Sequence, residues 1–374
     1  MNEKLQNVQW GEYRIGDLFE KLNLKFKKSK FDKINDISKV RTSEFNIPLV
    51  NAKFGDNGIM YYGRKNDFET ASMTIDIVND GAISTGSVYP QPQATGVLYN
   101  AYLIKPLFDV NNHMLYFLST TIQKSIKEKF GYENKAGWEK VKKEFIQLPT
   151  KNGEIDFEFI DAYISELEEE RISELSAYLT VSGLDNYELS SEEKEALENL
   201  NFVEWESYNL ERIFGKSTRG KRLKSDDRIA GSLPFVTAGE ADTGISDFIG
   251  NDVEVFSKNT ITIDMFGSAK YRNYNYGGDD HIAVVHTEKI KSESAIFVTS
   301  AIHKSSYNGQ FNYGRNFYAK DADALNIMLP TKNNEIDFSY MELLISAVQK
   351  LVIKDVVLYA DNKIEATKKI VESN

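Results

Sequence analysis

The segment Leu148–Phe157, which reads LPTKNGEIDF, returns as Leu329–Phe338, which reads LPTKNNEIDF. The two copies differ at one position. Self-similarity of this kind is sought before any other feature, because a missed repeat leads to the wrong fold. The chain therefore contains a duplication, and its other features are interpreted within that duplication.

Three further matches keep the same order along the chain. They are Trp10–Phe19 with Trp205–Phe214, Ile47–Val50 with Leu233–Val236, and Thr74–Asp76 with Thr262–Asp264. The separation between the two copies changes slightly from one match to the next, a drift that is expected when insertions fall in loops. Four matches in order indicate two copies of one domain.

Each copy shows the same succession of predicted elements. Short apolar runs such as Thr74–Val78 and Asn259–Met265, punctuated by Gly and Asn, indicate a β-rich body. A Leu-Pro-Thr-Lys turn follows. After it comes an apolar stripe of helical spacing, which predicts one helix from Phe157 to Thr180 and a second from Phe338 to Ile370.

The two predicted helices leave two arrangements open. Asp156 and Asp337 directly precede the stripes and are suited to cap the helices. The stripes consist of Ile160, Ile164, Leu167, Ile172, Leu175 and Leu179, and of Met341, Leu344, Ile345, Val348, Val352, Val356 and Tyr359. Either each helix packs on its own body, or the two helices pair with each other.

Length and composition restrict the class of protein. A chain of 374 residues exceeds the roughly 250–300 residues at which a single core stops growing, which agrees with two domains. There is no cysteine, so disulfides, thiolate catalysis and Cys-based metal sites are excluded. The sequence has neither an apolar run of the ~20 residues that span a membrane nor the apolar core of a signal peptide at its start. We expect a cytoplasmic protein without a membrane partner.

The net charge of −11 is unevenly distributed along the chain. Residues 154–198 contain 15 acidic and two basic side chains, so the remainder is slightly basic. Lys21–Arg41 carries eight Lys or Arg against two Asp, and Lys216–Arg228 carries six against two. These two stretches are candidates for contact with a polyanion.

Catalytic motifs are missing from the sequence. It has no phosphate-binding loop, dinucleotide fingerprint or nucleophile elbow, and no Pro-Pro pair of the kind found in amino-methyltransferase active sites. His281 and His286 are expected on opposite faces of one strand and do not suit a shared metal. Asp185, Glu192 and Lys194 match a nuclease spacing only formally, in what we interpret as a solvated linker. We predict no catalytic residue, no metal and no cofactor in this chain.

Both copies combine basic side chains with amide and aromatic ones, which suits the phosphates and base edges of duplex DNA. The predicted DNA-binding residues of the first copy are Lys25, Lys27, Lys28, Lys30, Arg41, Ser87, Tyr89, Gln91 and Gln93. Those of the second copy are Lys216, Arg219, Lys221, Arg222, Lys224, Arg228, Ser268, Lys270, Tyr271, Arg272, Tyr274 and Tyr276. The alternatives are a solvated surface for the basic stretches and, for the Tyr-rich loop 267–278, an exposed hairpin with cross-strand aromatic pairs.

The order of these features resembles the specificity subunit of type I restriction–modification systems over essentially the whole chain. The resemblance implies an α+β fold with two β-rich target recognition domains in tandem repeat, joined by two long helices that form an antiparallel coiled coil. The implied boundaries are 1–150 for the first recognition domain, 151–201 for the first spacer helix and acidic linker, 202–330 for the second recognition domain, and 331–374 for the second spacer helix.

The same resemblance implies a non-catalytic subunit that reads a split target in double-stranded DNA. Its implied partners are methyltransferase subunits, with or without a restriction subunit, and S-adenosylmethionine belongs to the methyltransferase. The helix entry departs from the Pro-Leu-x-x-Gln-like segment of many type I subunits. It is more similar to that of type IIB subunits, which are partnered by a fused nuclease–methyltransferase. The remaining alternative is a duplicated adaptor or scaffold that does not bind DNA.

Overall fold

The computed structural model of the chain describes residues 2–372. Its contacts divide the chain into two compact units, unit 1 up to Glu174 and unit 2 from Leu175 onward. The division falls inside the helix that follows the first β-rich body. Met1, Ser373 and Asn374, which the domain ranges expected from the sequence include, lie outside the described residues.

Unit 1 consists of small sheets covered by helices. Its strands are β1 (Gln9–Arg14), β2 (Phe19–Lys21), β3 (Ile37–Ser38), β4 (Ile47–Val50), β5 (Ile59–Gly63), β6 (Thr74–Val78), β7 (Val88–Gln91), β8 (Gly96–Val97), β9 (Ala101–Pro106), β10 (Phe145–Lys151) and β11 (Glu154–Ile155). Its helices are α1 (Asn2–Asn7), α2 (Ile15–Leu18), α3 (Asn112–Ile126), α4 (Trp138–Val141) and α5 (Phe157–Val181), which continues into unit 2. The strand orders are β1-β10-β11, β2-β9-β6-β7 and β3-β5-β4-β8.

Unit 2 repeats this plan. Its strands are β12 (Glu204–Asn209), β13 (Thr218–Arg219), β14 (Ala230–Val236), β15 (Ile245–Ile249), β16 (Val255–Phe256), β17 (Thr260–Asp264), β18 (Ala269–Arg272), β19 (Tyr276–Gly278), β20 (Ile282–Val285), β21 (Asn326–Lys332) and β22 (Glu335–Ile336). Its helices are α6 (Ser191–Glu198), α7 (Leu210–Phe214), α8 (Ser292–Ser306), α9 (Ala319–Asp323) and α10 (Phe338–Glu372). The strand orders are β12-β21-β22, β13-β20-β17-β18 and β15-β14-β19-β16. The predicted mixture of α and β elements in two tandem copies is confirmed.

The first and last strands of each body pair with each other. β1 lies antiparallel to β10, with Trp10 opposite Pro149, and β12 lies antiparallel to β21, with Trp205 opposite Pro330. The predicted Leu-Pro-Thr-Lys turn is therefore wrong, because these residues end a strand in both copies. The turn begins directly after this segment, so the repeated segment closes the body before the helix begins.

A two-residue hairpin and a capping aspartate then direct the chain into each helix. The hairpin residues are Asn152 and Gly153 in unit 1 and Asn333 and Asn334 in unit 2, all with φ between 55° and 86°. Such a turn needs left-handed φ at both positions, and Asn and Gly adopt it at the lowest steric cost. The repeated segment tolerates its one difference, Gly for Asn, for this reason.

The predicted caps and helices are confirmed. The amide of Phe159 donates to Oδ1 of Asp156 at 2.9 Å, and the amide of Tyr340 donates to Oδ1 of Asp337 at 2.9 Å. Each carboxylate thus satisfies an amide that has no partner inside the helix. α5 and α10 begin at the predicted residues and end one or two residues beyond the predicted ones.

The four-stranded sheets that contain β6 in unit 1 and β17 in unit 2 are called the central sheets. Their register corrects one of the sequence matches. β6 and β17 pair with their neighbours so that Ile77 is equivalent to Ile263. The match that started at Thr74 and Thr262 is therefore displaced by two positions. By the structure, Asp76 corresponds to Thr262.

β6 separates two environments. Ile75 and Ile77 face the main hydrophobic core of unit 1, whereas Asp76 faces the opposite way, beneath Gly58. Asp76 is fully buried, and neither of its carboxyl oxygens has a hydrogen-bond partner among the described residues. Burial raises the pKa of the Asp76 carboxyl well above its usual range, because desolvation disfavours the charged form.

The buried face of α10 is out of phase with the predicted stripe in the second half of the helix. The stripe residues Val348, Val352, Val356 and Tyr359 are 38–74% exposed. Leu175 and Leu179, at the end of α5, pack instead in a cluster with the adjacent face of α10, which contributes Ile353, Val357 and Ala360. Both faces of this part of α10 carry apolar residues, so periodicity alone selected the wrong one.

No helix of residues 2–372 is long and apolar enough to cross a membrane.

The sequence predicts that the acidic linker is solvated, but part of this linker packs on α10. The linker helix α6 begins with a capping box formed by Ser190 and Glu193. Glu193 is 5% exposed, and it accepts hydrogen bonds from Ser346 Oγ at 2.6 Å and Lys350 Nζ at 2.9 Å of α10. A buried carboxylate needs such partners, so these contacts hold the linker on α10.

Asp76→Asn is expected to stabilise the protein near neutral pH. Because burial raises its pKa, the Asp76 carboxyl keeps its proton to a higher pH in the folded chain than in the unfolded chain, where it ionises above a pKa of about 3.9. The contribution of Asp76 to the free energy of unfolding is therefore complete at low pH. As the pH rises from the unfolded to the folded pKa value, this free energy falls by about 1.4 kcal/mol per pH unit. The variant should need more urea than the wild type to unfold at pH 7, and the difference should shrink towards pH 4.

Asp264→Asn is the matched control for this measurement. Asp264 is also buried, but its Oδ1 accepts hydrogen bonds from the amides of Phe266 at 2.9 Å and Ser268 at 3.0 Å. Its replacement should lower stability at pH 7. Equal urea midpoints for wild type and Asp76→Asn across the pH range would contradict the assignment of a neutral carboxyl.

Candidate nucleic-acid interface

One end of the central sheet of unit 2 brings together segments that the sequence singled out. β17 ends at Asp264, opposite Ile282 at the start of β20, and the amide of Gly220 donates to the carbonyl of Ile282 at 3.3 Å. The connection from β17 to β18 lies at this same end. We call residues 220–224, 264–269 and 278–282 the loop end of unit 2.

The basic segment that enters the loop end has a fixed backbone and exposed cationic ends. The exposed side chains are Lys216, Arg219, Lys221, Arg222 and Lys224. The amide of Lys221 donates to the carbonyl of Gly278 at 2.9 Å, and Gly220 packs so closely on Gly278 that no Cβ fits there. Positively charged groups held on a fixed backbone suit phosphate contacts that set the register on DNA.

Arg228 differs from the other basic residues of this segment. Its side chain is 14% exposed, and its guanidinium lies 5.1 Å from the centre of the Phe235 ring and 3.8 Å from Asp247. Arg228 is therefore placed to stabilise the sheet of β14 and β15 rather than to bind a phosphate.

The Tyr-rich segment, which the sequence predicts to be a loop, forms β18 and β19 instead. Lys270, Tyr271 and Tyr274 are partly exposed on it. Ser268, Arg272 and Tyr276 are at most 1% exposed. The alternation of the segment therefore reflects the two faces of strands, one of which is buried.

Arg272 lies in the interior of unit 2. Its Nε donates to Thr262 Oγ1 at 2.9 Å, and its Nη1 donates to Tyr274 Oη at 2.9 Å and to Thr243 Oγ1 at 3.5 Å. A guanidinium held in this way cannot reach a base edge without rearrangement of the unit. We therefore exclude the three buried side chains of this segment from the contact surface proposed below.

The equivalent segment of unit 1 is also partly buried. Gln93 is exposed and Tyr89 is partly exposed, whereas Ser87 and Gln91 are fully buried. Nε2 of Gln91 donates to the carbonyl of Asn57 at 2.8 Å. Ser87 and Gln91 are excluded from the contact surface for the same reason as Arg272.

All five basic residues predicted in unit 1 are exposed, namely Lys25, Lys27, Lys28, Lys30 and Arg41, but Lys28 is also paired with two carboxylates. Lys28 Nζ lies 2.7 Å from Asp67 Oδ2 and 2.9 Å from Asp36 Oδ1, and these bonds raise the pKa of Lys28. Two carboxylates neutralise its charge, so Lys28 organises the segment between β2 and β5.

Asp279, Asp280 and His281 bring their side-chain oxygens and nitrogen within 4.8 Å of one another at the loop end. His281 Nδ1 lies 3.3 Å from Asp280 Oδ1, and Arg222 Nη1 lies 3.8 Å from the same oxygen. Arg222 supplies positive charge to this carboxylate. The prediction that the chain binds no metal stays a prediction.

The structure also contains, in each unit, a turn that the sequence analysis did not predict. The turn follows α3 in unit 1 and α8 in unit 2. The signal was present, because Phe130-Gly131-Tyr132 matches Phe311-Asn312-Tyr313 at the same separation as the two LPTKN segments. So short a match, with one difference, is not recognised without the structure.

The comparisons with known proteins agree with this architecture. Residues 7–177 and 202–357 both match the family described as Type I restriction modification DNA specificity domain. The chain is 22% identical over 352 residues to the protein named Type II restriction enzyme BgcI specificity subunit S.BcgI from Heyndrickxia coagulans, with 92% of this chain and 96% of the relative covered. The crystal structure of the type I restriction-modification system S subunit from M. genitalium shares the fold, with a TM-score of 0.55 at 16% identity over 98% of this chain and 95% of that one.

The chain thus belongs to the type I restriction–modification DNA specificity family, with two copies of the domain in tandem. It is a specificity subunit of a restriction–modification system, and its function is the recognition of a DNA target. The alternative of a scaffold that does not bind DNA is not favoured.

Replacing Arg219, Arg222 or Lys224 by Ala should weaken binding to all duplexes to a similar extent. Each phosphate contact releases counterions, so the slope of log affinity against log salt should fall by about one unit per residue. Affinities measured between about 50 and 200 mM salt give this slope. Arg228→Ala is the matched control, because a buried arginine should leave the slope unchanged. If the slope changed equally for Arg228 and Arg219, our division of the basic residues would be incorrect.

Proposed function

We propose that each unit reads one half of a split target in double-stranded DNA. This proposal is supported by the fact that the two units share one arrangement of strands but carry different side chains on it. The central sheets have equivalent strand orders, β2-β9-β6-β7 and β13-β20-β17-β18, yet Tyr89 in unit 1 occupies the place of Lys270 in unit 2. A shared frame with different side chains is what two readers of different half-sites require.

We propose residues 1–150 and 202–330 as the two recognition domains. Their phosphate contacts come from the exposed basic residues Lys25, Lys27, Lys30, Arg41, Lys216, Arg219, Lys221, Arg222 and Lys224. Base contacts come from the exposed or partly exposed residues Tyr89, Gln93, Tyr271 and Tyr274. Lys270 is left out because its side chain is 14% exposed and its Nζ lies 3.2 Å from Glu240 and 3.7 Å from Asp264. The amide of Gln93 can pair with a base edge in the major groove.

We further propose that residues 151–201 and 331–374 space the two recognition domains as an antiparallel coiled coil. The packing of Leu175 and Leu179 on α10 and the docking of α6 through Glu193 support this arrangement. α5 has 25 residues and is about 37 Å long at ~1.5 Å per residue, close to one turn of DNA. Half-sites about one turn apart would present the same groove face to both domains.

The exposed stripe of α10 is the proposed docking site for the methyltransferase. Val348, Val352, Val356 and Tyr359 recur at helical spacing and remain 38–74% exposed. An exposed apolar stripe of this length is typical of a protein interface.

In this proposal the chain supplies specificity and its partners supply the chemistry. S-adenosylmethionine is bound by the methyltransferase, and the chain contributes no catalytic residue. The relative from Heyndrickxia coagulans is named as the specificity subunit of a type II enzyme, which supports a fused nuclease–methyltransferase as the partner. The DNA target places the assembly in the cytoplasm.

Exchanging Lys216–Pro330 for the equivalent residues of another family member should change one half of the target and leave the other half intact. The reason is that the exchanged segment carries the whole contact surface proposed for unit 2. Mapping of methylated sites in the assembled complex measures both halves at once. A change in both halves, or in neither, would refute one-unit-per-half-site recognition.

Val352→Glu should weaken assembly with the methyltransferase by at least about tenfold, because a charge would then be buried in an apolar interface. Val352 is 74% exposed, so the free chain should unfold at an unchanged temperature. Co-elution and titration with the methyltransferase measure the effect. Val255→Glu, at a half-exposed position of β16, is the control, and equal assembly of all three proteins would show that the stripe is not the docking site.

A further inference from the structure

After α3 and α8 the repeat keeps an exposed tyrosine that belongs to neither hydrophobic core. Tyr132 of unit 1 is 77% exposed and Tyr313 of unit 2 is 86% exposed. They occupy matching positions of the repeat, and each follows a phenylalanine, Phe130 or Phe311, by two positions. Tyr313 lies edge-on to Phe266, with 5.3 Å between the ring centroids, yet 86% of the residue stays exposed, so packing alone does not account for it.

Both tyrosines occupy the same place in the same tight turn. In unit 2 the amides and carbonyls of Asn312 and Arg315 exchange two hydrogen bonds of 3.0 Å, and the amide of Gly314 donates to Asn312 Oδ1 at 2.9 Å. In unit 1 the amide of Gly131 donates to the carbonyl of Asn134 at 2.9 Å. Each turn therefore presents its tyrosine next to the first residue of a closed four-residue loop.

The two turns are anchored at equivalent ends of the central sheets. The amide of Phe317 donates to the carbonyl of Met265 at 2.9 Å, and the amide of Ala136 donates to the carbonyl of Asn79 at 3.1 Å. Met265 directly follows β17, and Asn79 directly follows β6. The two turns are thus anchored at the ends of the sheets where β6 leads to β7 and β17 leads to β18.

The side chains around the two tyrosines differ. Asn312, Gly314 and Asn316 in unit 2 stand where unit 1 has Gly131, Glu133 and Lys135. Unit 2 has no acidic residue from Tyr307 to Lys320, a composition that suits the approach of a phosphate. A residue that reads a base is expected to vary between half-sites, as these neighbours do, whereas a contact to the backbone can stay the same.

We propose that Tyr132 and Tyr313 make equivalent contacts with the DNA backbone, one in each half-site, through hydrogen bonds from their phenolic hydroxyls to phosphate oxygens. The inference rests on the proposed function, because it assumes that each unit binds half of the target. Tyrosine is among the side chains that contact phosphates without reading sequence. A tyrosine on a closed turn loses little conformational freedom on binding, which makes it an effective positioning residue.

The test uses the chain assembled with its methyltransferase and compares Tyr132→Phe, Tyr313→Phe, the two Ala variants and the double Phe variant. Each single variant should bind about three- to tenfold more weakly to matched duplexes and to duplexes with one half scrambled, as expected for one lost hydrogen bond. The salt slope should not change, because no charge is removed. Methylated sequences should stay the same, and the double variant should show the product of the two losses.

Tyr116→Ala is the matched control, since Tyr116 is 39% exposed on α3 of unit 1 and lies outside the turn that carries Tyr132. Full affinity in both Phe variants would overturn the hydroxyl contact. A changed base preference in one half-site would make the tyrosines base readers instead, and a loss of assembly with the methyltransferase would make them protein contacts. If the wild-type complex did not distinguish matched from scrambled duplexes, the proposed function itself would fail, independently of these variants.

Discussion

The antiparallel pairing of the first and last strands of each body is the constraint on which the rest of the structure depends. β1 with β10, and β12 with β21, bring the entry and exit of each body side by side. Everything between them is topologically one long closed loop, so its length and surface can change without moving the helix that follows. The two-residue hairpin and the capping aspartate then fix the residue at which that helix starts. Duplication of this frame yields two bodies whose following helices begin in the same way.

Freedom to vary the surface is limited by a polar layer inside each body. In unit 2 Arg272 ties Thr262 to the left-handed turn at Thr243. In unit 1 the equivalent residue, Gln91, holds the corresponding turn, but Asp76 beneath it has no hydrogen-bond partner among the described residues. Each body has therefore solved the same packing problem with different polar groups. A change of specificity has to respect this layer, because leaving one of its groups unpaired costs about as much as a base contact contributes.

The sequence predicted the features that depend on local chemistry. The caps Asp156 and Asp337 were predictable because a carboxylate directly ahead of an apolar stripe of helical spacing is typical of a helix N-cap. The strands β6 and β17 were predictable because their apolar runs lie between Gly and Asn. It failed where two faces compete. The pairs Val352–Ile353 and Val356–Val357 place apolar residues on adjacent faces of α10, and only tertiary packing selects one. For the same reason alternating residues in 267–278 did not reveal which of them a strand would bury.

The charge distribution can now be interpreted together with the fold. All but two of the acidic residues of 154–198 lie on α5, the linker and α6, and Glu193 among them holds the linker to α10. The other two are Glu154 on β11 and Asp156, which caps α5. Their negative charge disfavours phosphates near these helices within a Debye length of about 10 Å. The two basic stretches, Lys21–Arg41 and Lys216–Arg228, lie instead in the two bodies, outside these helices. A net charge of −11 is therefore compatible with the recognition of DNA, because the fold places the two kinds of charge on different elements.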